Sequence, residues 1–469
     1  MTAPVSGPFP IRGVMESFYG VYYTFTERNQ LISFLGEQGW NYYIYGPKND
    51  RQHRNRWREP YPEKVMEEFR HTASLAKSLG VTFCYALSPI SIAYSSETDF
   101  ALVTEKLKTF YDAGIRAFSL FLDDIQKEFV HPQDYQVFET YSEAHVSLCN
   151  RVYSWLQTLG EPCTLSMCPT DYHGAAPFSD YLRDLGLGLT PEIDVFYTGP
   201  HICSQEIRYE HVAGFAQAAQ RPPLLWDNYP VNDLAMQPEL HIGPIIGRDA
   251  KLAGAVRGIV ANTMIQAEAS KIPLLTYAEY MTNPDGYQPT AAWQRAMTEV
   301  AGEENALALA TIAPYCLRSC LSPEAPSPLD EVVNPVLLSL QDTGHLDAAR
   351  VQELKGFLSN IDEACYRLKN RMDNYALRNN LLPWIELLEH WHWAGQRAVI
   401  VLQAIKEEGS FAQAMGWLKE SVSFIERHPK IVHVGKLADL IQFAIASADK
   451  TLGAGKTSGK EEQHEPSLG

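Results

Sequence analysis

The sequence has no apolar stretch approaching the ~18 uninterrupted residues that a membrane-spanning helix needs. Its opening, Met1-Thr2-Ala3-Pro4-Val5-Ser6-Gly7-Pro8, lacks both the cationic start and the apolar core of a secretory signal. A cytoplasmic location is therefore expected. Positive charge is scarce: 39 Lys and Arg stand against 56 Asp and Glu, a net charge of −17. That balance repels nucleic acid and anionic membrane surfaces, so neither is expected as a partner, and a neutral or small partner is. None of the eight cysteines forms a Cys-x-x-Cys pair, and several lie inside apolar runs. They read as reduced core residues, not as a disulfide frame or zinc site. No Gly-x-Gly-x-x-Gly follows the first apolar run, and neither Gly-x-x-x-x-Gly-Lys-Ser/Thr nor His-Glu-x-x-His occurs. Dinucleotide, nucleotide-phosphate and metal sites thus have no support, and no cofactor is expected. Nothing repeats at a fixed period.

What the chain does have is apolar residues, 45% of 469, enough to bury substantial cores in two or three domains. After a Pro/Gly leader (residues 1–10), apolar runs alternate with amphipathic stretches. Strands are predicted at 11–18, 41–45, 81–88, 117–123, 163–168, 194–198, 224–228 and 254–262. Helices are predicted at 26–37, 63–79, 100–111, 134–159, 205–219 and 272–280, with a weaker one near 243–252. Eight β-then-α units within 11–285 fit a (β/α)8 TIM barrel, an α/β fold, better than a doubly wound sheet. From about residue 290 the texture turns to long helical periodicity, which predicts an all-helical domain over 290–452, interrupted by the prolines of 321–328. A Gly/Ser/Lys/Glu tail, 453–469, is too polar to pack and reads as disordered.

One stretch stands out: Ala117-Phe118-Ser119-Leu120-Phe121-Leu122-Asp123-Asp124-Ile125, an apolar run ending in two carboxylates. The run reads as a strand buried on both faces. Asp is common in turns and caps, so the pair alone could simply end the strand. Alternatively, it is a carboxylate pair at the catalytic end of a barrel strand. Successive strand side chains point to opposite faces, so a cooperating pair must sit where the strand ends and the backbone turns. Other strand ends are also polar, with Lys48, Asp171-Tyr172, Trp226-Asp227-Asn228, Asp233 and Asn262. Taken singly, Lys48 fits a solvated surface, Trp226 a core, and the asparagines strand ends. Together they suit a neutral polyol, with polar groups for its hydroxyls and an aromatic wall for its ring. His53, Arg54, Trp57, Arg58 and Glu59 read as a hydrogen-bonded loop scaffold rather than a site.

These motifs match a known family. The chain resembles glycoside hydrolase family 84, the O-GlcNAcases and related β-N-acetylglucosaminidases. The resemblance is carried by Gly13-Val14-Met15-Glu16-Ser17-Phe18-Tyr19-Gly20, by Tyr45-Gly46-Pro47-Lys48-Asn49-Asp50 with His53-Arg54 and Trp57-Arg58-Glu59, and by Leu122-Asp123-Asp124-Ile125. Cys168-Pro169-Thr170-Asp171-Tyr172, Thr198-Gly199-Pro200, Trp226-Asp227-Asn228 with Asn232-Asp233, and Asn262 complete it. It covers residues 11–281; the helical region is only loosely similar. The resemblance implies a retaining exo-hydrolase of terminal GlcNAc, acting on β-linked GlcNAc glycans or GlcNAc-modified proteins through an oxazoline made by the substrate's own acetamido oxygen. Asp123 would orient the acetamido N–H, while Asp124 would act as acid and then base. Adjacent carboxylates are expected to raise one another's pKa. Lys48, Asp233 and Asn262 would bind sugar hydroxyls, Tyr172 and Asn228 the acetamido group or reacting centre, and Trp226 the pocket floor. The family usually has glycine where Ser17 stands, its carbonyl close to a sugar hydroxyl, so Ser17 is expected to alter affinity or substrate choice. Val21-Tyr22-Tyr23 likewise replaces the family's Pro-Trp. The resemblance also implies dimerisation through the helical domain, for which a plain packing role is equally open. A GlcNAc-binding protein without turnover and an endo-acting hyaluronidase-like enzyme are the alternatives.

Overall fold

The computed structural model describes residues 8–125 and 128–458. The expected leader up to residue 7 and tail beyond 458 lie outside the described residues. Eight parallel strands, β1 (Ile11–Glu16), β2 (Tyr42–Tyr45), β3 (Thr82–Leu87), β4 (Ala117–Phe121), β5 (Thr164–Cys168), β6 (Asp194–Tyr197), β7 (Leu224–Asp227) and β8 (Gly258–Asn262), close into a barrel in chain order. The helices between and after them are α1 (Phe25–Glu37), α2 (Glu63–Ser78), α3 (Glu97–Asp112), α4 (Tyr141–Leu156), α5 (Asp180–Gly188), α6 (Tyr209–Ala219) and α7 (Ala267–Thr282).

The barrel core follows from the two-residue period of a strand. Met15, Ile44, Ala117, Phe121, Phe196, Trp226 and Val260 form one buried cluster inside the barrel. Their strand neighbours Val14, Tyr43, Phe118, Leu120, Leu225 and Ile259 belong to the layer packed under the helices. β4 is therefore buried on both faces, as its apolar run predicts. One charged cluster belongs to the outer layer. Glu16 is fully buried, with Arg28 of α1 2.8 Å away and the Tyr43 hydroxyl donating to it at 2.7 Å.

Three helix expectations change. The weak helix near 243–252 shrinks to one 3-10 turn, Ala250–Leu252. Gly247 has φ 73°, and the segment runs extended beside Gln205–Ile207, where Ile207 N–H donates to the Gly247 carbonyl at 2.8 Å. Helix α5 falls where no helix is predicted. The stretch predicted as one helix over 134–159 divides into a 3-10 turn, Asp134–Gln136, and α4, which starts at the capping box of Thr140 and Glu143.

The remaining chain contains α8 (Pro289–Ala301), α9 (Glu303–Ile312), α10 (Asp330–Thr343), α11 (Ala348–Asn370), α12 (Tyr375–Lys406), α13 (Ala412–Arg427) and α14 (Leu437–Ser458). The break between α8 and α9 falls at Gly302, whose φ of 80° a helix interior does not allow. α12 packs against α11, α13 and α14, burying Leu354, Leu358, Ile361, Leu381, Ile385 and Leu388. Two compact units result: one holds the barrel, and the other most of the chain from Met297 onward. Among the described residues, no helix is long and apolar enough to cross a membrane.

Candidate active site

Strand parity places the site residues. Ser17, Asp123, Asn228 and Asn262 each lie two positions beyond an interior core residue, namely Met15, Phe121, Trp226 and Val260. Lys48 lies four beyond Ile44, with Gly46 between them. A Cβ on Gly46 would sit 2.6 Å from the Phe121 ring and 3.2 Å from Cβ of Ala86. Glycine thus lets the ring lie beneath the lysine, whose Nζ is 5.6 Å from the Phe121 centroid and 5.4 Å from that of Trp226. The structure brings all nine sequence-predicted residues, Ser17, Lys48, Asp123, Asp124, Tyr172, Trp226, Asn228, Asp233 and Asn262, to the lining of one cavity of about 330 Å³.

The acids sit where the strand ends. Leu122 N–H still donates to the Cys168 carbonyl at 3.0 Å, and Thr170 Oγ1 donates to the Leu122 carbonyl at 3.1 Å. Beyond that anchor the backbone bends, and both side chains reach the cavity. Lys48 Nζ lies between them, 2.6 Å from Asp123 Oδ2 and 3.1 Å from Asp124 Oδ2. The Tyr19 hydroxyl donates to Asp124 Oδ2 at 2.7 Å. Asp123 is 9% exposed, and its second oxygen, Oδ1, is buried without a hydrogen-bond partner among the described residues. The Asp124 side chain is 31% exposed.

These contacts correct one expectation. Burial by itself raises the Asp124 pKa, but Lys48, the Tyr19 hydroxyl and Arg54 outweigh it and hold the carboxyl below its ordinary value. A shared cation, rather than mutual repulsion, governs this acid in the open pocket. Burial opposes the charge on Lys48, yet Asp123 and Asp124 keep its pKa above the ordinary lysine value. Burial raises Asp233, against the Tyr19 backbone N–H that donates to its Oδ2 at 2.7 Å. Tyr172 is raised by burial and by the two nearby acids.

The neutral groups form a second network. Ser17 N–H donates to Asn262 Oδ1, and Asn262 Nδ2 donates back to the Ser17 carbonyl, both at 3.2 Å. Asn228 Oδ1 accepts from Trp226 Nε1 at 2.7 Å and from Asn262 Nδ2 at 3.0 Å. The Ser17 hydroxyl is buried with no hydrogen-bond partner among the described residues. In the β2 loop, His53 Nδ1 contacts the Ala86 carbonyl at 2.7 Å, Trp57 Nε1 donates to the Ile90 carbonyl at 3.0 Å, and Arg58 Nε donates to Asp99 at 2.9 Å. Burial lowers the His53 pKa to about 4, which keeps it neutral. These are the contacts of a scaffold. Arg54 differs from its neighbours, lying 3.5 Å from the Tyr19 hydroxyl and 3.5 Å from the Asp124 carbonyl.

Sequence reasoning missed Tyr19, although it lies two residues past Ser17 and so shares its parity. Ile202, Cys203, Val231 and the turn Leu234–Met236 also line the cavity, and no residue type there would have marked them out.

The sequence model of the β-N-acetylglucosaminidase family matches residues 12–314. Proteins named Protein O-GlcNAcase from Rattus norvegicus and Mus musculus are each 35% identical over 281 residues, covering 58% of this chain and 30% of theirs. This chain thus spans about 30% of the length of these curated relatives. A mutant of the Thermobaculum terrenum O-GlcNAc hydrolase superposes with a TM-score of 0.85 at 32% identity, covering 98% of this chain and 99% of that one. A strand-end carboxylate pair in this fold, matched by the family model through all eight strands and by a structural relative over nearly all of both chains, places the chain in the β-N-acetylglucosaminidases, glycoside hydrolase family 84.

Proposed function

We propose that the chain is a retaining exo-β-N-acetylglucosaminidase of the O-GlcNAcase type, releasing terminal GlcNAc from glycans or GlcNAc-modified proteins by substrate-assisted catalysis. One observation carries this reading: Asp123 keeps one oxygen on Lys48 and the other buried without a partner. An unpaired buried carboxylate oxygen is costly, and an acetamido N–H would satisfy it. Asp123 would then polarise that amide as its oxygen attacks the anomeric carbon, and Asp124 would protonate the departing oxygen and later deprotonate water. A general acid must arrive protonated. As a sugar hydroxyl takes Lys48 Nζ from Asp124 and water is excluded, the contacts lowering the Asp124 pKa weaken while its burial deepens. The cavity volume, near the lower end for ligand pockets, supports single-residue exo action.

The test is release of 4-methylumbelliferone from its β-GlcNAc conjugate by wild type and Asp124→Asn. Equal rates would remove Asp124 from the reaction. The same reading includes a cytoplasmic enzyme paired through its helical domain; light scattering of the purified chain would check the pairing as a twofold mass.

A further inference from the structure

Helix α4 buries an apolar face that includes Leu148, Cys149 and Val152, and one buried position of that face is a histidine, His145. The ring is fully buried, and burial pushes its pKa down to about 3, so it is neutral. A neutral imidazole has one donor and one acceptor nitrogen, and a buried ring needs a partner for each. Both partners are tyrosine hydroxyls, which serve in either role: Nδ1 lies 2.8 Å from that of Tyr181, and Nε2 lies 2.9 Å from that of Tyr94.

The contacts continue from the ring to the end of β4. Tyr181, in the first turn of α5, accepts the backbone N–H of Thr170 at 3.2 Å. Thr170 Oγ1 in turn makes the 3.1 Å hydrogen bond to the Leu122 carbonyl, the anchor next to Asp123 and Asp124. A second tie runs alongside, because Ser179, the cap of α5, donates from Oγ to Asp171 Oδ2 at 2.6 Å. At the other end of the chain of contacts, the Tyr94 N–H donates to Asp134 at 3.1 Å, and Tyr94 and Asp124 line a small hollow of about 80 Å³. The Leu122 carbonyl is thus held by a side-chain hydroxyl, and a hydroxyl fixes a backbone only as firmly as it is itself fixed. Tyr181 and His145 supply that support from two helices outside the barrel.

We propose that Thr170, braced by Tyr181 and His145, is the positioning residue of the acid pair: it fixes the bend after Leu122 that turns Asp123 and Asp124 into the cavity. None of the three touches substrate. Their part is to keep both carboxylates in the geometry that proton transfer and acetamido orientation need, where small displacements are expensive. The effect on turnover rests on the proposed glycosidase reading; the bracing of the bend does not.

The test compares the full wild-type chain with Tyr181→Phe, which deletes one hydroxyl and keeps the ring, and with Thr170→Val and Thr170→Ser. Kinetics on the methylumbelliferyl substrate are measured well below each melting transition, and hydrogen exchange is followed in peptides spanning Leu122 and Thr170. A misplacement of ~1 Å can cost about 100-fold, and one lost hydroxyl displaces the bend by less, so kcat should fall roughly tenfold in Tyr181→Phe and Thr170→Val. KM should change less than twofold, because Lys48, Asp233 and Asn262 stand on other strand ends. Exchange should quicken in both peptides, and Thr170→Ser, which keeps the donor to Leu122, should recover most of the lost kcat. A purely structural role would lower the melting transition and leave kcat of the folded enzyme intact; that result overturns the proposal, as does unchanged exchange in Tyr181→Phe. A wild type without turnover refutes the glycosidase reading instead, and exchange still reports whether Tyr181 braces the bend.

Discussion

Removing the Tyr19 hydroxyl tests the electrostatics of the acid directly. Tyr19→Phe deletes the 2.7 Å hydrogen bond to Asp124 Oδ2 and leaves the Tyr19 backbone contact to Asp233 in place. A hydrogen bond to a charged group contributes ~1.5–3 kcal/mol. The Asp124 side chain is 31% exposed, so solvent screening places this one at the lower limit. At ~1.4 kcal/mol per unit, the Asp124 pKa rises by about one unit. The sign follows from the ionised form: the hydroxyl stabilises the carboxylate, so without it Asp124 keeps its proton to higher pH. The pH dependence of kcat/KM reports the free enzyme, the state in which this hydrogen bond is seen. The alkaline limb of kcat/KM on methylumbelliferyl β-GlcNAc should therefore move up by about one unit in Tyr19→Phe, while loss of the same hydrogen bond lowers the melting transition at neutral pH by no more than a few degrees. A limb that stays put, or moves down, refutes the assignment of Asp124 as the acid held down by Tyr19.

Asp123→Ala should lose most of its turnover with little change in melting temperature, because the Lys48 ammonium keeps Asp124 as a counter-charge; a melting transition low enough to explain the loss would instead make Asp123 structural. Ser17→Gly removes a buried hydroxyl that has no partner among the described residues, so KM should fall, while chain flexibility costs about 0.5–1 kcal/mol of stability in denaturant titration. Glu16→Gln strands the buried Arg28 guanidinium without its counter-charge and should cost roughly 3–5 kcal/mol by the same titration. Gly46→Ala forces a methyl against the Phe121 ring, which should destabilise the chain by about 1–3 kcal/mol and disturb Lys48, read as a raised KM.

Much of the barrel was legible because its rule is local. An apolar residue every second position, then a polar group two residues on, marks Phe121–Asp123, Trp226–Asn228 and Val260–Asn262 without knowledge of the fold. What escaped depends on distant contacts. Helix α5 contains Gly186 and Gly188, which weaken helical propensity; Gly186 is there because a Cβ would lie 2.6 Å from the Ala218 carbonyl oxygen of α6. Residues 243–252 look helical until Gly247 pairs with Ile207, a partner some 40 residues away in a loop. The lowered Asp124 pKa was equally hidden, since nothing in an Asp-Asp pair announces that a lysine from another strand end will sit between its oxygens.

The reciprocal hydrogen bonds of Ser17 and Asn262 join residues 245 positions apart, across the seam where the last strand meets the first. The ring of strands and the cavity are therefore completed by the same event. A growing chain holds Lys48 and both acids long before Asn262 is made, yet it has no walled cavity until β8 docks on β1. A ligand that requires the finished cavity consequently acts as a clasp on the seam, and hydrogen exchange in β1 and β8 should slow together when the cavity is filled.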